Sequence, residues 1–189
     1  MNTPNKLTLI RVIMVPVFMV FLLVSAIPFN CFFALVVFAA AALTDLLDGH
    51  LARKNNQVTT FGKFLDPIAD KILVLSAMIC FIELGLASSV AVVIIIAREF
   101  MVTSLRLVAL SSGGKVIAAG MLGKIKTVIQ MASVVVILSL CTIGQFVMLP
   151  AFLDIRLISH ILIWLSAAIT IVSGAQYMVQ NWDSVGTTK

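Results

Sequence analysis

Residues 45–70 read DLLDGHLARKNNQVTTFGKFLDPIAD and contain Asp45, Asp48, Asp66 and Asp70. The chain has eight acidic residues, so half of them are gathered in this one stretch. Its pattern is Asp-x2-Asp-Gly-x2-Ala-Arg-x8-Gly-x3-Asp-x3-Asp. Carboxylates are costly near a bilayer, and their default reading there is functional. Spacings of three and four residues put side chains on one face of a helix. Residues 53–63 leave room for a turn between antiparallel helices, which brings the two pairs together. Four like charges in one pocket repel strongly, and one or two hard divalent cations relieve the repulsion. Oxygen-only donors suit Mg2+ or Mn2+, and no cysteine or histidine is placed to favour zinc. The plainer alternative pairs these acids with Arg53, Lys54, Lys63 and Lys71 at the interface. It does not explain why they concentrate on facing helix faces around Gly49 and Gly62. Either glycine allows close backbone approach by a ligand or another helix.

The surroundings of this block are apolar. Of 189 residues, 61% are hydrophobic and 11% charged, and the mean hydropathy is +1.17. A soluble domain does not have that balance. Six apolar runs, near 7–27, 30–52, 64–84, 86–110, 120–144 and 156–180, are each long enough to cross a hydrocarbon core. Backbone groups in lipid must be bonded internally, so the runs are expected to be helices. The first run is too long for a signal-peptide core and lacks a small-x-small cleavage site. The expected fold is all-α, with one domain over residues 1–189 and six transmembrane helices around a cytoplasm-facing polar cavity.

Lys6, Arg11, Arg53, Lys54, Lys63, Lys115, Lys124, Lys126 and Lys189 fall at ends that share one side, against Glu83, Asp154 and Arg156 on the other. The positive-inside rule places both termini in the cytoplasm. The net charge of +5 reads as topology signal and attraction to anionic membrane lipids. No soluble basic domain suggests a nucleic-acid partner. Cys31, Cys80 and Cys141 match neither a zinc spacing nor a disulfide framework, and read as small buried hydrophobes. Trp164, Trp182 and Tyr177 fit bilayer filling and interfacial anchoring. His50 reads as an interfacial residue and His160 as a packed one.

The aspartate block resembles the signature of the CDP-alcohol phosphatidyltransferase family. Asp45, Asp48, Gly49, Ala52, Arg53, Gly62, Asp66 and Asp70 fill every fixed position. The resemblance implies a six-helix membrane domain, usually a homodimer, with a two-ion metal site. It also implies transfer of a phosphatidyl group from CDP-diacylglycerol to an alcohol, with release of CMP. Further segments resemble the phosphatidylglycerophosphate synthase branch: residues 5–11, Ala97-Arg98-Glu99-Phe100, Leu105-Arg106 and residues 123–127. They point to sn-glycerol 3-phosphate as acceptor. Together they cover about residues 5–130, and the C-terminal third adds little identity.

The resemblance implies Asp45, Asp48 and Asp66 as metal ligands. It implies Asp70 as the general base and also as a metal ligand. Asn5, Thr8, Gly49, Ala52, Arg53, Gly62 and Lys63 become candidates for binding CDP-diacylglycerol. Asn5 and Thr8 also read as caps of the first helix, and Arg53 as an anchor of the second. The acceptor phosphate needs cations, and Arg98, Arg106, Lys124 and Lys126 are the candidates. An arginine as deep as Arg98 should face a wet or protein-lined cavity, where its planar fork can take phosphate bidentately. A local pair with Glu99 is disfavoured, because adjacent helix positions do not face each other. Lys124 and Lys126 serve equally as positive-inside anchors. The rival readings are a sister transferase taking inositol phosphate, serine or phosphatidylglycerol, a membrane prenyltransferase, and a divalent-cation transporter. The linear acid block, without matching positions in two halves, weighs against the transporter.

Overall fold

The computed structural model describes the backbone of residues 3–55, 60–111, 121–147, 150 and 153–185, and the side chains of 9–44, 71–105, 121–147, 150 and 153–180. Among the described residues six helices follow in order: α1 (Thr3–Leu23), α2 (Asn30–Asn55), α3 (Thr60–Glu83), α4 (Ser89–Ser111), α5 (Met121–Phe146) and α6 (Ile155–Val185). There is no strand among the described residues. Two stretches, Met121–Phe146 and Ile155–Gln180, are by themselves long and apolar enough to cross a membrane. Leu9–Leu23 and Asn30–Thr44 are shorter apolar helices.

The helix ends explain where the expected spans shift. The first run was expected to reach residue 27, yet α1 stops at Leu23. A turn follows in which Ile27 N–H donates to the Val24 carbonyl at 3.2 Å, and Phe29 adopts φ 56°. Phe29 is held there by stacking on Phe146 of α5, with ring centroids 4.9 Å apart. Asn30 then opens α2, its Oδ1 accepting from Cys31 N–H at 2.8 Å. The same oxygen accepts from the Gln145 amide of α5. The fourth run was expected from residue 86, but α4 begins at Ser89, because the end of α3 takes more residues to close. Leu86 N–H donates to the Phe81 carbonyl at 2.8 Å and Gly85 N–H to the Ile82 carbonyl at 3.0 Å. This is a Schellman closure, which needs a left-handed residue, and Gly85 has φ 68°. Asp154 caps α6, accepting from Arg156 N–H at 2.9 Å.

Packing forms two groups of three. Helix α1 lies against α2 and α3, while α6 lies against α4 and α5; contacts of α2 with α5, and of α3 with α4 and α5, join the groups. The core is built from Phe18, Phe38, Met78, Phe81, Ile95, Ile137 and Ile163. Between them Ala34, Ala41, Ala77, Ala91 and Ala167 are fully buried. Small residues let helix backbones approach where lipid supplies no hydrophobic push between helices. Hydrogen bonds add to this between α5 and α6, from Gln130 to Thr170 at 3.1 Å and between Ser133 and Ser166 at 3.1 Å. The outer surface is apolar, with Val20, Val93, Phe100, Val128, Leu157 and Val172 exposed on different helices. An exterior of this kind suits lipid, not water.

Three residues sit differently from their sequence readings. Tyr177 is buried, so it packs within the helices instead of anchoring at an interface. Of the cysteines, Cys80 is buried, whereas Cys31 and Cys141 are half-buried.

Nothing lies within 4 Å of a methyl added at Gly85, so Gly85→Ala isolates the backbone cost of the left-handed turn. The expected loss is about 1 kcal/mol, read as a lower unfolding midpoint in detergent.

Candidate functional site

Charge in the interior converges where α3, α4 and α5 meet. Glu99 of α4 is 5% exposed. Its Oε2 lies 3.4 Å from Lys71 Nζ of α3. Its Oε1 lies 3.3 Å from Arg98 Nη1 and also accepts from Lys126 Nζ of α5. An isolated carboxylate at this depth would be strongly penalised, and its cation partners offset that desolvation. Gln130, one turn beyond Lys126, continues the polar surface toward Thr170.

These side chains border a cavity of about 390 Å³ lined by Lys71, Arg98, Glu99, Thr103, Lys124 and Lys126, with Val102, Gly123, Thr127 and Val128 completing the wall. A smaller cavity of about 150 Å³ adjoins it, sharing Lys71, Glu99, Lys126 and Thr127. The larger one is of the size that holds a small polar molecule. Four cations face one carboxylate across its lining. That surplus of positive charge, partly desolvated, favours an anion, and the planar guanidinium of Arg98 suits a phosphate group.

Arg98 is steered by α6. Its Nη2 donates to Ser173 Oγ at 2.8 Å, while Nη1 faces Glu99. The pair between Arg98 and Glu99 corrects the expectation from helix geometry. Adjacent positions diverge at Cβ, but arginine is long enough to fold back when other cations draw the carboxylate toward it. The pair and the cavity are therefore not alternatives, since Arg98 has both. Lys124 and Lys126 also part company. Lys124 is exposed and Lys126 buried, although both line the cavity. Anchoring at a surface does not describe Lys126.

The remaining candidates are placed by their helices only. Asn5 and Thr8 lie on α1, Asp45, Asp48, Gly49, Ala52 and Arg53 on α2, Gly62, Lys63, Asp66 and Asp70 on α3, and Arg106 on α4. Their side chains lie outside the described residues. Among the described residues no group of acids, histidines and cysteines forms a metal site. Lys71, the residue after Asp70, lines the cation cavity, so the end of the aspartate block adjoins it along α3. Arg11 of α1, read from sequence as a topology signal, is 2% exposed and belongs to the interior.

Sequence reasoning missed Lys71, Glu99 and Ser173 as partners in this cluster. Glu99 carried a signal, being an acid in the middle of an apolar run. Ser173 carried none, because serine is common in membrane helices and its partner lies 75 residues away.

The profile of the CDP-alcohol phosphatidyltransferase family matches residues 1–172. The chain is 41% identical to a CDP-diacylglycerol–glycerol-3-phosphate 3-phosphatidyltransferase of Bacillus subtilis, across 99% of this chain and 98% of the other. A protein of the same name from Rickettsia bellii is 36% identical across 93% of each. Another from Wigglesworthia glossinidia brevipalpis is 41% identical across 71% of this chain and 75% of its own length.

Removing the charge of Glu99 leaves its cations facing one another in a buried space. Glu99→Gln is expected to cost about 3 kcal/mol, measured by thermal unfolding in detergent. Adding Lys126→Met should return part of that loss. Strict additivity of the two changes would mean that the carboxylate and the lysine are not coupled.

Proposed function

The chain belongs to the CDP-alcohol phosphatidyltransferase family, and we infer that it transfers the phosphatidyl group of CDP-diacylglycerol to sn-glycerol 3-phosphate. The products are phosphatidylglycerophosphate and CMP, in phospholipid biosynthesis. The names of the similar proteins give both substrates. The structural observation that supports the reading is the cation-lined cavity beside the aspartate-bearing helix. An acceptor that carries its own phosphate needs such a place, whereas serine does not bring one. A path for divalent cations would be lined with acids, and this cavity has four cations to one acid.

In the proposed site Asp45, Asp48, Asp66 and Asp70 hold Mg2+ or Mn2+, two ions in the full complement. The donor set fits, because four carboxylates without sulfur or imidazole are hard-cation ligands. Bound there, the ions would neutralise charge on the diphosphate oxygens and on the departing phosphate. Asn5, Thr8, Gly49, Ala52, Arg53, Gly62 and Lys63 line the donor side. Arg98, Arg106, Lys124 and Lys126, joined by Lys71, hold the acceptor's phosphate. Asp70 takes the proton from the acceptor's primary hydroxyl. That oxygen bonds to the lipid-side phosphorus of CDP-diacylglycerol. The bond from this phosphorus to the bridging oxygen breaks, and the pair of electrons leaves with CMP. The acyl chains remain in the bilayer throughout. The proposed setting is a multi-pass homodimer of the cell membrane, six helices per chain, with termini and cavity on the cytoplasmic side. Neither substrate then has to cross the membrane.

Purified protein should release CMP from CDP-diacylglycerol only when glycerol 3-phosphate and a divalent cation are both present. Chelation should stop release, and Mg2+ or Mn2+ should restore it. Reaction with inositol phosphate or serine in place of glycerol 3-phosphate would overturn the acceptor assignment. Asp70→Asn should lower kcat by about a thousandfold or more in a protein that still elutes as a folded species. Near-normal turnover by that variant would remove Asp70 as the base.

A further inference from the structure

The three heavy atoms nearest to a methyl built on Gly174 all belong to Arg98. A methyl placed on Gly174 would sit 2.9 Å from Arg98 Cγ, 3.3 Å from Nε and 3.7 Å from Cδ. The arginine stem therefore crosses α6 over a position with no side chain. The neighbouring Ser173, itself 4% exposed, accepts from Nη2 at 2.8 Å. At the other edge of the guanidinium, Nη1 meets Glu99 Oε1 at 3.3 Å. Neither Ser173 nor Gly174 lines the cation cavity, whereas Arg98 does.

We propose that Ser173 and Gly174 are positioning residues of α6 that aim Arg98 at the acceptor phosphate, so that the C-terminal helix sets how well a phosphorylated acceptor is bound. This rests on the cavity being the acceptor-phosphate subsite. The flat fork of arginine binds phosphate through two parallel donors, and it gains from that only when its plane is fixed. An arginine left to its rotamers spreads those donors over many orientations. Gly174 admits the stem, Ser173 holds one edge, and Glu99 holds the other. A side chain at 174 cannot be accommodated by a small shift, because its nearest contact is the stem at Cγ and not the mobile tip. Arg98 would have to leave its rotamer, and Nη2 would lose Ser173.

The test is steady-state kinetics of CMP release with each substrate varied in turn. Gly174→Ala should raise KM for glycerol 3-phosphate about tenfold, with KM for CDP-diacylglycerol and kcat within about twofold of the parent. Its unfolding midpoint should fall as well, because the arginine stem is displaced and its bond to Ser173 is lost. A role confined to packing predicts the lower midpoint with both KM values unaltered. Ser173→Ala should raise the same KM by about threefold, and Ser173→Thr, which keeps the hydroxyl, should restore it. In an Arg98→Ala background, Gly174→Ala should add nothing. Parental KM in both Gly174→Ala and Ser173→Ala would overturn the proposal. So would an undiminished effect of Gly174→Ala once Arg98 is gone. Should Gly174→Ala not fold, the serine pair of variants decides alone. Failure of the parent protein to use glycerol 3-phosphate at all would instead overturn the reading of the cavity.

Discussion

A carboxylate buried among apolar helices must be neutralised in place, and Glu99 meets that demand by drawing cations from three helices. Lys71 comes from α3, Arg98 from α4 itself and Lys126 from α5. The arrangement fixes more than one acid. It ties together side chains of α3, α4 and α5, and it leaves the cavity wall with more positive than negative charge. Without the carboxylate, three ammonium and guanidinium groups would repel in a space with little water to screen them. Without the cations, nothing would offset the desolvation of the carboxylate. The polar centre is thus mutually dependent, and the surplus charge is what remains for a ligand.

Around this centre the helices follow the logic of a lipid solvent. Large apolar side chains point outward as well as inward, so hydrophobicity does not choose which faces meet. Buried alanines, Schellman and asparagine caps, the Phe29–Phe146 stack and the Ser133–Ser166 and Gln130–Thr170 hydrogen bonds between α5 and α6 make that choice. The last of these runs toward the cation cluster through Gln130 and Thr170. The polar face of α6 is therefore continuous from the bundle core to Ser173, where it reaches Arg98.

The two parts of the proposed active site differ in how they are encoded. The aspartates lie within 26 consecutive residues on two helices, and their spacing is the periodicity of those helices. Local geometry suffices to read them as a set. The cation cavity is assembled from residues of three helices, and only its unusual members show in the sequence. Arg98 and Lys126 stand out as charges within apolar runs. Glu99 was visible but was assigned no partner, because the rule for helix neighbours considers one helix in isolation.

The helices among the described residues, their approximate limits, the apolar surroundings and the acidic block are all legible along the chain. Each depends on residues close together along the chain, through hydrogen bonding within a helix or through repeating spacing. Packing between helices decided that Lys126 is buried while Lys124 stays exposed, that Lys71 joins the cluster, and that Arg98 lies across Gly174. Those outcomes depend on which helix stands opposite, and in a chain apolar on nearly every face no local pattern records that choice.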